Sequence, residues 1–361
     1  MEMGSISPPP TTHQTNNSTC DLYEHEGLAH ILLPVFYGLI FIIGMFGNVL
    51  ALIVVIKNRK KINSTTLYST NLVVSDILFT TALPARIIYY AKGFDWPFGE
   101  GLCKLTALIF YINTYAAVNF MTCLSIDRFV AVVHPLRTRI RTVRCATYIC
   151  CSVWFLVLAQ TLPLLTQPLS RKEEQRNTCM EYPNFETIPN LPWILLGACL
   201  LGYVIPLGII LVCYSKIGYK LYQNAKQNPL VVKSGTNKKA INMIFFIIVV
   251  FTVCLTPYHV AIIKHMIAKI MSGEQDIECR VQKLFQKTLH YTVFLMNLNC
   301  CLDPLIYFFA CRGYKRTIMR ILRRQGSISL SSAARTAPEE SSRDIGDSNT
   351  VNVTTALNGK R

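Results

Sequence analysis

The sequence predicts an all-α membrane protein, a seven-transmembrane helix bundle with a short amphipathic eighth helix. Three observations predict it. Of 361 residues, 51% are hydrophobic and only 16% charged, less charge than a soluble domain of this length carries. The apolar residues gather in seven blocks, roughly 31–56, 66–91, 104–133, 146–167, 191–215, 240–268 and 284–310, and a helix of about 20 apolar residues crosses a bilayer. The basic residues fall on alternate connections between those blocks.

Breakers inside the blocks do not argue against helices. Pro84, Pro163, Pro206, Pro257 and Pro304 are tolerated because neighbouring helices re-satisfy the freed backbone groups. The connection after the first block carries Lys57, Arg59, Lys60 and Lys61, and the one after the third Arg137, Arg139, Arg141 and Arg144. The one after the fifth carries Lys216, Lys220, Lys226, Lys233, Lys238 and Lys239, and the segment after the last Arg312, Lys315, Arg316, Arg320, Arg323 and Arg324. The first 30 residues hold Glu2, Asp21, Glu24 and Glu26 with no Lys or Arg, and residues 168–190 set Arg171, Lys172 and Arg176 against Glu173, Glu174, Glu181 and Glu186. Basic loops stay cytoplasmic, so the N-terminus is expected outside and, after seven spans, the C-terminus inside. The net charge of +16 is thus a membrane signature and not a nucleic-acid one. Residues 1–30 have neither a basic n-region nor an apolar core, so the first span is expected to act as its own insertion signal.

The expected organisation is an extracellular glycosylated tail (1–30), a transmembrane domain (31–310), a cytoplasmic amphipathic helix (311–325) and a disordered cytoplasmic tail (326–361). In Cys311–Arg324 basic and apolar residues alternate at helical spacing, which suits the anionic inner leaflet and its lipids. The tail beyond is rich in Ser and Thr, and phosphorylation there would add charge that a partner protein reads.

Of 14 Cys, Cys20, Cys103, Cys179 and Cys279 fall on outer segments, where an even number suggests two disulfides. Three pairings are open. Cys103 heads the third span and Cys179 lies mid-loop before the fifth, so these are paired, leaving Cys20 with Cys279. Asn16 and Asn17 are overlapping N-glycan acceptors on the outer tail. Asn63 and Asn352 match the same pattern on the inner side and are expected to stay bare.

Ionisable residues inside spans are functional candidates by default. Asp76, Asn48 and Asp303 together form a polar core in which a carboxylate can hold a sodium ion, with Asn113 and Asn299 as further oxygen donors. Asp127-Arg128-Phe129 closes the third span and is followed by His134-Pro135-Leu136.

With Gly47-Asn48, Leu72 and Asp76, Asp127-Arg128-Phe129, Trp154, Pro206 with Tyr214, Phe251-x-x-Cys254-Leu255-Thr256-Pro257 and Asp303-Pro304-x-x-Tyr307 in order, one set per span, the chain resembles the rhodopsin-like G-protein-coupled receptors over residues 30–325. Three departures stand out: Phe129 for the usual Tyr, Asp303 for the usual Asn, and Leu255 for the usual Trp. The resemblance implies a heterotrimeric G protein as partner and a switch built from Asp127, Arg128, Tyr214, Asp303, Pro304 and Tyr307. Residues 59–81, Ile112-Asn113-Thr114-Tyr115, Cys179-Met180-Glu181-Tyr182-Pro183-Asn184-Phe185 and Thr256-Pro257-Tyr258-His259-Val260-Ala261 are similar to the oxysterol-sensing branch of that family found on lymphocytes. That closer likeness implies a hydroxylated cholesterol as ligand, inhibitory G proteins and a role in immune-cell migration.

The pocket is expected to open outward, with Arg86, Tyr111, Tyr115 and Tyr258 as ligand-binding residues and walls of Phe110, Leu83, Val260 and Phe294. No acid is expected beside Arg86. An apolar cavity with a few placed donors suits a lipid carrying hydroxyls. Phe110 stands where amine receptors place an acid, and Asn297 where opsins carry the retinal lysine, so neither ligand class fits. Another lipid or a chemokine-like peptide is the alternative within the class. A transporter or channel is the alternative outside it, but no internal repeat is visible. No span gathers a nucleophile or metal cluster, which excludes an enzyme.

Overall fold

The computed structural model describes residues 26–57, 62–172, 176–186, 188–227, 244–272 and 278–310, together with 241, 319 and 320. Residues 1–315 form one compact unit, and 316–361 a separate one. Most of the expected eighth helix and all of the tail from 321 on therefore lie outside the described residues, as do Asn16, Asn17 and Cys20.

Among the described residues the apolar blocks become seven long helices. These are α1 (Glu26–Lys57), α2 (Ser64–Ala91), α3 (Gly99–Val133) and α4 (Val143–Thr161). Then follow α5 (Leu191–Cys199, a π turn Leu200–Val204, and Ile205–Gln227) and α6 (Ile244–Ser272, with a π turn Val250–Leu255). Last comes α7 (Cys279–Asn297 and Asn299–Ala310), parted at Leu298. The first six are long and apolar enough to cross a membrane. α7 falls short on that measure because it is parted and carries Lys283, Gln286, Lys287, His290, Asn297, Asn299 and Asp303.

Both π turns end just before a proline, and the cause is local. Pro206 and Pro257 have no N–H, and their rings crowd the carbonyl four residues back. The chain accommodates one extra residue, so Ile205 donates to the Leu200 carbonyl and Thr256 to the Phe251 carbonyl, five residues apart. At the start of α2, the Asn63 side chain accepts from the Thr66 amide at 2.9 Å, an N-cap that satisfies one orphan donor.

α3 has the largest buried share of the spans and packs on α2, α4 and α5, while α1 lies along α2 and the second half of α7. Small residues permit the closest approaches. A Cβ on Gly47 would sit 2.9 Å from the Pro304 ring, and one on Gly44 3.0 Å from Thr80. Asn48 fastens the same seam by donating to the Gly44 and Cys300 carbonyls at 3.0 and 2.9 Å.

The bundle has an apolar core threaded by buried polar residues and an apolar outer surface, where a soluble protein would be polar. Asn48, Asp76, Asn113 and Asp303 are buried, whereas Phe46, Phe155, Trp193 and Val212 are more than half exposed. That outer belt is the surface a bilayer requires. Between α4 and α5 lies a small hairpin, β1 (Ser170–Lys172) antiparallel to β2 (Asn177–Cys179), then a single helical turn at Tyr182–Phe185. The hairpin marks the disulfide face of the bundle. The opposite end, where α2 begins and α3 ends, is its basic face.

Candidate functional site

Three polar clusters run through the bundle from the disulfide face to the basic face. The first is organised by the Cys103–Cys179 disulfide, which ties β2 to the head of α3. Residues just after Cys179 therefore reach into the bundle. Arg86 donates to the Cys179 carbonyl at 3.0 Å and to the Tyr90 hydroxyl at 3.2 Å. Its guanidinium lies 5.2 and 5.3 Å from the ring centres of Tyr89 and Tyr90, within cation–π range. Glu181, also buried, accepts from the Tyr89 hydroxyl at 2.8 Å and from Gln286, and meets His290 Nε2 at 2.8 Å. Burial pushes the Glu181 carboxyl upward, but His290, Arg86 and the Tyr89 hydroxyl outweigh it and hold it below its ordinary value. The expectation that no acid stands near Arg86 is thus corrected: Glu181 lies just across Tyr89, carried in by the disulfide.

Arg86 lines a narrow cavity with Tyr37, Phe79, Leu83, Phe110 and Asn297. Asn297 donates to the Tyr37 hydroxyl at 3.0 Å, and Tyr37 stacks on Tyr90 at 5.2 Å. Beyond Phe110, whose ring meets Tyr111 edge-on at 5.1 Å, the three predicted tyrosines form their own group. Tyr111 and Tyr115 lie near-parallel at 6.4 Å, and the Tyr258 phenol interacts with that of Tyr111. The Tyr115 ring occupies the gap left by Gly202 in the α5 π turn, where a Cβ would come within 2.5 Å of it. Two predicted walls lie elsewhere. Val260 is 54% exposed, because two residues beyond Tyr258 a helix has turned to its outer face. Phe294 sits in the α1–α7 seam against Phe36 and Tyr37. Cys279 is also disulfide-bonded, while its expected partner Cys20 lies outside the described residues.

The second cluster lies at mid-membrane. Asn113 donates to Asp76 at 2.9 Å and to Ser75 at 3.2 Å. The Asp76 and Asp303 carboxyls face each other. Asp76 Oδ2, both Asp303 oxygens and the side-chain oxygens of Asn48 and Asn299 are buried without hydrogen-bond partners.

The third cluster closes the basic face. Asp127 accepts from Ser64 at 2.5 Å and Thr65 at 2.7 Å, and pairs with Arg141 Nε at 3.1 Å and Arg128 Nη2 at 3.3 Å. Arg128 also contacts the Thr65 hydroxyl. One turn up α3, Ser125 and the Tyr214 hydroxyl of α5 are 2.7 Å apart. Pro304 packs against Gly47, and Tyr307 belongs to α7 with its side chain outside the described residues.

This order of landmarks matches the family model described as 7 transmembrane receptor (rhodopsin family) over residues 47–307. The chain belongs to that family. It is a receptor and not an enzyme, a multi-pass protein of the plasma membrane, and such a receptor joins a ligand to a G protein. It is similar to the human G-protein coupled receptor 183, 62% identical over 99% of this chain and 98% of that one. The bovine protein of the same name is 64% identical over 95% of each chain. More distantly, the receptor is 32% identical to the chicken lysophosphatidic acid receptor 6 over 82% of this chain and 93% of that one.

Sequence reasoning missed two sets of partners in these clusters. Glu181, held by Gln286 and His290, stands across Tyr89 from the predicted Arg86, and Ser64, Thr65 and Arg141 surround the predicted Asp127. A signal existed for Glu181, which stands two residues after a cysteine already paired to α3. For Arg141 there was none, since it is one of four arginines in its connection.

Proposed function

We propose that the receptor binds a hydroxylated cholesterol between Arg86 and the Tyr111–Tyr115–Tyr258 group, and signals through an inhibitory G protein to direct immune-cell migration. The disulfide face is then extracellular, with the N-terminus, and the basic face cytoplasmic, in keeping with the distribution of Lys and Arg. The observation that carries the ligand reading is the state of Arg86. Its charge is already answered by the Cys179 carbonyl and by Glu181 across Tyr89. A neutral hydroxyl gains from such a group, while a phosphate or carboxylate meets Glu181 as well. The chicken relative's name supports the second reading, an acidic lysolipid, for which Arg86 is the natural anchor.

At mid-membrane the facing Asp76 and Asp303 carboxyls, with Asn113 and Asn299 as further oxygen donors, offer hard ligands suited to a sodium ion. At the cytoplasmic face Arg128 is the G-protein contact, restrained by Asp127 until the receptor switches. Arrestin and receptor kinases act on the tail beyond 326.

Radioligand binding to surface-expressed variants tests the pocket. Arg86→Ala removes a hydrogen bond to a charged group, about 1.5–3 kcal/mol, so sterol affinity falls roughly 10- to 150-fold. Tyr258→Phe loses a neutral bond of about 0.5–1.5 kcal/mol. Full sterol affinity in both variants places the pocket elsewhere. Tighter binding of a lysophosphatidate than of any dihydroxylated cholesterol selects the second reading.

A further inference from the structure

We propose that Arg141 is a positioning residue of the switch: it holds the Asp127 carboxylate when Arg128 departs, and so eases activation. The inference deepens the assignment of Arg128 as the G-protein contact, and it rests on that reading.

The argument begins with how the carboxylate is shared. Its Oδ1 takes Ser64 at 2.5 Å and Arg141 at 3.1 Å, and its Oδ2 takes Thr65 at 2.7 Å and Arg128 at 3.3 Å. The acid side chain is 3% exposed and Arg141's 34%. A carboxylate this deep cannot be left without a cation at small cost. Were Arg128 its single cation, the swing of Arg128 toward a G protein would strand it. With Arg141 in place, Asp127 has two guanidinium partners at rest and still keeps one, with its two hydroxyl donors, when Arg128 leaves. Two like charges on one carboxylate also repel, which loosens the hold on Arg128 further.

The placement of Arg141 fits this role. It ends the turn Thr138–Arg141, directly before Thr142 caps α4 by accepting from the Cys145 amide. The cap anchors the loop independently of the ion pair, so the loop survives removal of the Arg141 charge. The sign of the effect is distinctive. Asp127 restrains Arg128, and its loss frees the switch. Arg141 competes with that restraint, and its loss tightens the switch.

The test needs no ligand. Basal nucleotide exchange on a saturating purified inhibitory heterotrimer is read for full-length receptor in lipid nanodiscs, with folding checked by thermal stability. Arg141→Ala should lower basal exchange about five-fold, the low end of ordinary coupling energies, and Arg141→Lys should restore most of it. In an Asp127→Asn background, Arg141→Ala should change nothing. Basal exchange that is unchanged or raised in Arg141→Ala overturns the proposal. So does an equal loss in the Asp127→Asn background, because Arg141 then merely scaffolds the loop. Arg128→Ala is the control. Wild-type exchange in that variant brings down the switch reading itself, and the role of Arg141 with it.

Discussion

Two kinds of buried acid stand in this bundle, and their surroundings are opposite. Glu181 and Asp127 are wrapped in donors: Tyr89, Gln286 and His290 for one, Ser64, Thr65, Arg128 and Arg141 for the other. Asp76 and Asp303 face each other, and Asp76 accepts from Asn113, while the other side-chain oxygen of Asp76 and both of Asp303 find no donor. The first arrangement completes itself from the protein and fixes geometry. The second has more acceptors than donors, so it is responsive to a cation or a proton.

The comparison can be broken at its strongest point first. Glu181→Ala strips the counter-charge from Arg86 and the hydrogen-bond partner from His290, and opening a buried pair costs about 3–5 kcal/mol. Thermal unfolding of detergent-purified protein should show a large loss, and an unaltered midpoint means that Glu181 is not structural. At the other donor-rich acid, Asp127→Ala should raise basal G-protein activation by about 5- to 150-fold, the range of ordinary coupling energies. Unchanged basal exchange removes Asp127 as the restraint. The acceptor-rich acids should behave otherwise. Asp76→Asn should fold well and abolish sodium sensitivity: in wild type, replacing a large organic cation by sodium should lower agonist affinity about ten-fold, and in the variant it should not. A sodium response that survives refutes the site.

The smallest effect concerns pH. Glu181 is held below its ordinary value of 4.5, so the folded state binds fewer protons there than the unfolded one. Its contribution is full above that ordinary value and is lost as pH falls through the lowered one. Stability should therefore drop more steeply below about pH 4.5 in wild type than in Glu181→Gln. Parallel curves remove Glu181 as the cause.

Most of the fold was legible because the bilayer imposes a length and a polarity on every span, and six blocks met both. α7 met them least clearly, its polar positions belonging to clusters that only the assembled bundle satisfies. The hairpin Ser170–Lys172 with Asn177–Cys179 could not be read, since three-residue strands leave no period. Val260 was misplaced for the opposite reason. It neighbours pocket residues in sequence, and a helix sends it outward. The predicted ligand residues were found in two groups parted by Phe110, a division that one-dimensional spacing does not contain. The partners of Arg86 and Asp127 come from distant segments, and only tertiary contact reveals them.

The π turns of α5 and α6 have a consequence of phase. Each holds one residue more than an α-helix with the same ends, and one residue is about 100° of rotation. The segments on either side of Pro206 and Pro257 are therefore out of step, like two cogs meshed one tooth apart. In α6 the offset is pinned by a short relay: the Tyr203 and Thr256 hydroxyls meet at 2.7 Å, and Thr256 in turn donates to the Phe251 carbonyl at 2.7 Å. Tyr203 also lies flat on His259 at 4.1 Å, and the His259 Nδ1 meets the Leu255 carbonyl at 2.7 Å. The angular setting of one helix is thus held by a phenol of another, and the two can be re-indexed only together.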